Sequence, residues 1–291
     1  MKNKIIITIT ALVLCLITGI VLLVNHNAEN KADEDETVTV SQNETVTQIK
    51  KTELSTEGSK KETESRTQKK KNNNKKDIAK PLIKVDAAKY FGAVSTSTVY
   101  NNELQSYLSS QASISENRIR LTAKKLDDIY ISGKVETKIA FRYGEFKFRI
   151  NTMEGKGLFP AIWLLSKDGV LLPEIDIYEA LGNENERFYG VMHYKKDGKQ
   201  MKQTRSYTFK GPVPKYMELT FKWTKDKMIW FVDEKEVFRI DKDVPQIPVY
   251  MIINLAVGGN WPGNPDSKTK FPAVFDVEIL EFNPTEIYSR A

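Results

Sequence analysis

Polar and apolar residues alternate in short runs through the C-terminal two-thirds of this chain. That period of two constrains the fold more than anything else in the sequence. It appears in Arg118-Ile119-Arg120-Leu121-Thr122-Ala123, in Glu145-Phe146-Lys147-Phe148-Arg149-Ile150 and in Glu218-Leu219-Thr220-Phe221-Lys222-Trp223. Each run places its apolar side chains on one face of an extended strand. Met228-Ile229-Trp230-Phe231-Val232 follows the turn-like Thr224-Lys225-Asp226-Lys227, which predicts a hairpin. Tyr250–Val257 and Val274–Phe282 read as further strands, and no long stretch has the 3.6-residue period of a helix. Many short strands with polar turns predict an all-β domain, a mostly antiparallel sandwich or barrel.

Composition divides the chain into three. Residues 5–24 are almost wholly apolar, and residues 25–80 are dense in Lys, Glu, Thr, Ser and Asn. All four Trp lie beyond residue 81. The expected organisation is an N-terminal transmembrane helix over 1–24, a disordered polar linker over 25–80 and a globular domain over 81–291. About 20 apolar residues suit a membrane span. Lys2 and Lys4 before the run, and Asp33-Glu34-Asp35-Glu36 after it, favour an inside N-terminus. The expected location is therefore the cell membrane, with a single pass and the domain outside. Cleavage of the run as a signal peptide, releasing a secreted protein, is the alternative. Val24-Asn25-His26-Asn27-Ala28 is a poor cleavage site, and Leu14 before Cys15 argues against a lipidated cysteine.

Cys15 is the only cysteine, so the domain has neither a disulfide nor a thiol for zinc or catalysis. The net charge of +6 invites a nucleic-acid reading. However, the densest basic run, Lys69–Lys76, lies in the linker and has no aromatics for base stacking. It reads as a solvated, self-repelling spacer, and no nucleic-acid partner is expected. The repeated Glu-Thr-Val-Thr at 36–39 and 44–47 is low complexity.

One strand-like run differs from the rest. Glu174-Ile175-Asp176-Ile177-Tyr178-Glu179 sets three acids among apolar residues. In a regular strand Glu174 and Asp176 share one face, and Glu179 falls on the other with the isoleucines. One extra residue at Ile177-Tyr178, a β-bulge, turns Glu179 onto the acidic face. Glutamates so placed can come within the roughly 5–5.5 Å that separates the carboxyl groups of a retaining glycosidase. Asp176 between them adds negative charge, which raises a neighbour's pKa and helps keep Glu179 protonated. The competing reading is a solvated acidic face on an edge strand.

The run resembles the active-site strand of glycoside hydrolase family 16 in its bulged, laminarinase-like form. Four other regions resemble that family in the same order. They are Asn101-Asn102-Glu103-Leu104-Gln105, the pair Tyr130–Val135 and Tyr143–Phe146, Gly157–Leu164, and Asn254–Gly263. The resemblance covers roughly 100–282. It implies a β-jelly-roll, concanavalin A-like sandwich with a concave sugar-binding cleft, and a retaining endo-β-glucanase acting on a β-1,3- or β-1,3-1,4-glucan. By motif position Glu174 is the nucleophile, Asp176 its tuning partner and Glu179 the general acid/base. Three positions depart from the pattern: Leu172 and Phe159 stand where the family often has Trp, and Met217 where it often has His. The first strand is hard to recognise in Lys84–Tyr100. Hydrolysis or transglycosylation of another polysaccharide, and a non-catalytic carbohydrate-binding jelly roll, stay open as alternatives.

Five further residues are candidates for substrate binding. Trp163 and Trp261 offer sugar-stacking faces, with a core role as the rival for Trp163. Asn254 and Asn102 can donate and accept hydrogen bonds to hydroxyls, or can serve backbone and turn. His193, the domain's only histidine, lines the cleft or is a plain strand residue. No Gly-x-Ser-x-Gly elbow accompanies it. Trp223, Trp230, Phe221 and Phe231 fit hairpin core packing and receive no functional role. Asp276 matches a family position that binds structural calcium, with an ordinary strand Asp as its rival reading. No cofactor is required. The expected partners are a polysaccharide and, through the N-terminal helix, a membrane; a monomer is expected.

Overall fold

The computed structural model describes residues 85–98 and 100–290. The anchor and linker expected over 1–24 and 25–80 lie outside these residues. A short helix, Ala87–Tyr90, opens the described part, with Asp86 Oδ1 accepting from the Ala88 amide at 3.1 Å. The strands follow in order. First come β1 (Phe91–Ala93), β2 (Gln105–Tyr107), β3 (Ala112–Ser115), β4 (Arg118–Leu126), β5 (Ile129–Ser132) and β6 (Lys134–Thr137). Next are β7 (Ile139–Asn151), β8 (Leu158–Ser166), β9 (Glu174–Glu179), β10 (Arg187–Lys196) and β11 (Lys199–Thr208). The last are β12 (Tyr216–Trp223), β13 (Met228–Val232), β14 (Lys235–Ile240), β15 (Val249–Val257) and β16 (Ala273–Ser289).

Pairing sorts them into two layers. One runs β11-β10-β9-β8-β15-β6-β1. The other runs β14-β13-β12-β7-β16-β4-β3. Every pair in both layers is antiparallel; β2 and β5 pair in parallel beside β4. The layers touch through one core. Ile175, Ile177, Tyr178, Phe188 and Met192 from the first meet Phe146, Phe148, Phe221, Trp230 and Phe275 from the second. Tyr178 stacks on Phe275 with ring centres 6.0 Å apart. The result is an all-β, jelly-roll-like sandwich, the architecture that period-two alternation dictates.

The alternating runs fall where the pattern put them: within β4, β7 and β12, with Met228–Val232 forming β13. Thr224 and Lys227 close the hairpin, the Thr224 amide donating to the Lys227 carbonyl at 2.9 Å. The strand read over 274–282 runs on to Ser289, pairing with β7 along most of its length. The other face of the first layer, turned away from the core, carries a cleft.

Candidate active site

The bulge expected in β9 is present, and both neighbours register it. Trp163 pairs with Asp176, but Ile162 pairs with Tyr178, so β8 leaves Ile177 without a partner. On the other side Val191 pairs with Asp176 and Tyr189 with Glu179, so Gly190 alone faces Ile177 and Tyr178. Ile177 and Tyr178 both pack into the core between the layers, whereas an unbroken strand would turn one of them to the opposite face. The extra residue turns Glu179 back onto the face of Glu174 and Asp176. All three acids line one cleft of about 550 Å³.

Burial governs their protonation. Glu174, the more open, has its pKa raised by loss of solvent, partly offset by His193. Asp176 is only 3% exposed and is pushed up much further, by burial and then by the Glu174 charge. Its Oδ2 receives no hydrogen bond, and His193 Nε2 stands 3.5 Å away. Glu179 is also pushed well above the carboxylate range, by burial first and then by Asp176 and Glu174. Loss of solvent thus disfavours the charged form of all three acids, and their mutual repulsion makes them titrate as a set. The donor atoms of Glu174, Asp176 and His193 lie within 4.8 Å of one another, a spacing that could also hold a cation.

Several elements complete the cleft. From β8 come Phe159, Ala161, Trp163 and Leu165, and from β15 Tyr250, Ile252 and Asn254. His193 comes from β10 and Gln200 from β11. Trp163 and Asn254 are locked together: Trp163 Nε1 donates to Asn254 Oδ1 at 2.7 Å, and Asn254 Nδ2 donates to the Tyr107 hydroxyl at 2.9 Å. Asn254 thus both lines the cleft and fixes the edge of the indole. Asn102 is not in the lining. Its Nδ2 donates to Asn260 Oδ1 at 2.7 Å and ties two loops together. The neighbouring Tyr100, Asn101 and Glu103 face the cleft instead. Trp261 is 46% exposed but also lies outside the lining, edge-on to Phe159 and to Tyr189 with ring centres 5.5 and 5.0 Å away.

Asp276 lies against two arginines, and its buried Oδ1 accepts no hydrogen bond. Arg120 Nη2 donates to its Oδ2 at 2.8 Å, and Arg118 Nε lies 3.9 Å from its Oδ1. Two guanidinium groups supply the positive charge that a cation would bring. The pairing follows from register, since Asp276 sits opposite Arg120 on β4.

Some cleft residues are given no role in the sequence reading. Glu103 accepts from Gln105 Nε2 at 2.7 Å, and burial raises its pKa. Tyr250 reads as one strand aromatic among many, and Lys134, paired with Glu136 at 2.8 Å, as a surface charge. Tyr250 shares its strand parity with Asn254 on β15, and Lys134 lies opposite Asn254 on β6.

Comparison with known proteins gives a consistent result. The family described as Glycosyl hydrolases family 16 matches residues 95–276. The chain is 29% identical over 183 residues to the endo-1,3-1,4-beta-glycanase EglC of Rhizobium meliloti (strain 1021), covering 55% of this chain and 38% of that one. It is 28% identical over 220 residues to the glucan endo-1,3-beta-glucosidase A1 of Niallia circulans, covering 62% and 32%. It thus spans about a third of the length of these relatives. Among solved structures, the endo-beta-1,3-glucanase of Pyrococcus furiosus superposes with a TM-score of 0.57 at 28% identity, over 70% of this chain and 89% of that one. The match covers most of the sandwich, cleft included, and this chain belongs to glycosyl hydrolases family 16.

Proposed function

We propose that the protein is a retaining, endo-acting β-glucanase that cuts a β-1,3- or β-1,3-1,4-glucan. One observation carries the reading: the bulge in β9 puts Glu179 beside Glu174 and Asp176 in one cleft. Burial raises the pKa of all three, and the neighbouring acids raise those of Asp176 and Glu179 further. In the first step a Glu174 oxygen attacks the anomeric carbon. The glycosidic C–O bond breaks, and Glu179 gives its proton to the leaving oxygen. In the second, Glu179 takes a proton from water, whose oxygen displaces Glu174. Asp176 holds negative charge, or a proton, between them and shifts both partners. Trp163, fixed by Asn254, offers a ring face for a sugar, and His193 moderates the acids from β10.

The names of the Rhizobium and Niallia relatives support the linkage, since they specify 1,3-1,4- and 1,3-beta bonds. The apolar run Ile5–Val24 supports a membrane anchor with the domain outside. The test is hydrolysis of laminarin and mixed-linkage glucan with product sizing. Glu174→Gln is expected to give no measurable product. Glu179→Gln is expected to lower kcat/KM by about 10²–10⁴, the contribution of a positioned acid/base. Undiminished hydrolysis in either variant rejects these roles, and binding without products by the parent protein leaves a sugar-binding module.

A further inference from the structure

A bulge leaves a residue off the ladder, and its backbone groups then need other partners. In β9 that residue is Ile177, with no partner on β8. Its carbonyl is not orphaned. Trp230 Nε1 donates to it at 2.9 Å, across the core from β13 in the opposite layer. Trp230 is fully buried, and its ring packs against Phe221 and Phe238 with centres 4.8 and 5.0 Å apart. The space for this reach comes from β10. Gly190 is the single residue facing the two bulged ones. A Cβ at Gly190 would stand 2.7 Å from the Phe238 ring and 3.1 Å from that of Trp230.

We infer that Trp230 is a positioning residue: its indole N–H, admitted by the missing side chain of Gly190, holds the bulge in the register that turns Glu179 into the cleft. The inference rests on the role proposed for Glu179, but it concerns a residue that touches no substrate. A plain core aromatic would fill the same volume without a donor. A competing regular strand would restore the β8 ladder at Ile177 and turn Glu179 towards the apolar layer. The hydrogen bond from the other sheet opposes that slip.

The experiment compares the parent with Trp230→Phe, which keeps an aromatic ring and removes the donor. Gly190→Ala is a second variant that crowds the ring. The first readout is kinetics on laminarin. Trp230→Phe is expected to lower kcat at least about tenfold while KM stays within about twofold, since the site is misplaced rather than lost. The second readout needs no turnover: the ¹³C titration of the Glu179 carboxyl. Glu179 is partly exposed and sits beside Asp176 and Glu174 on its own strand and Tyr189 and His193 on β10. A loosened bulge admits water, and its pKa is expected to fall towards the ordinary carboxylate value in both variants. A Trp230→Phe protein with a lower Tm but an unchanged Glu179 titration overturns the inference and leaves Trp230 as core packing. If the parent cleaves no glucan, the proposed function fails, and the titration alone still decides the role of Trp230. Should Gly190→Ala not fold, Trp230→Phe gives the answer by itself.

Discussion

Glu179 shows how one residue can serve chemistry at the expense of the fold. Its carboxyl shares the cleft with Asp176 and Glu174, and loss of solvent and their charges raise its pKa well above 4.5 in the folded protein. Between the unfolded and folded pKa values the folded state binds more protons, so this group lowers stability as pH rises through that window. Below the window the carboxyl is neutral in both states and carries no such penalty. Glu179→Gln removes the charge, so it is expected to raise Tm by about 2–8 °C at pH 7.5 and by much less at pH 4. Scanning calorimetry at the two pH values checks this; an equal shift at both would mean that charge is not the cause. The acids were legible as residues because three carboxylates in an apolar run are rare enough to demand a reason. The two readings of Asp276 could not be separated in the sequence because its environment depends on what lies across the sheet. Arg120 is 156 positions away in sequence and is adjacent only through register.

At the scale of elements, alternation located β4, β7 and β12, but neither the ten-residue β10 and β11 nor the shortest strands. β1 and β2 have only three residues each, too few for a period to show. Nothing local announces that β2 will supply Tyr107, which closes the Trp163–Asn254–Tyr107 chain of hydrogen bonds. This chain joins β8, β15 and β2, and it makes a prediction belonging to those elements. Asn254→Ala strands the Trp163 N–H and the Tyr107 hydroxyl together, and is expected to destabilise the protein by about 1–3 kcal/mol. Tyr107→Phe removes one of the same bonds, so the double variant should lose less than the sum of the singles. Urea unfolding of the four proteins measures the coupling; strict additivity would show that the bonds act independently. The bulge was legible from the spacing of its acids, but its support was not. Trp230 has the pattern of an ordinary hairpin core residue, and only the packing of two layers shows where its N–H points.

At the scale of the whole molecule, the sequence separates three compositions, and the sandwich accounts for the third. No helix among the described residues is long and apolar enough to cross a membrane. The proposed anchor rests on Ile5–Val24 and the proposed linker on the lysine-rich residues beyond it. Two forces could hold such a chain at a membrane, and they differ in response to salt. Burial of about 20 apolar residues in the bilayer is indifferent to ionic strength. Attraction of the Lys69–Lys76 run to anionic lipid is screened within about 3 Å at 1 M salt. The full chain is therefore expected to sediment with membranes, to stay there in 1 M salt and to be released by detergent. A chain lacking residues 1–24 is expected in the soluble fraction, with unchanged kcat on laminarin, because the cleft is built wholly from residues 100–254. Release of the full chain by salt alone would assign the attachment to the lysines. Recovery of a shortened soluble protein outside the cell would show that the apolar run is a signal peptide, removed after it has directed export.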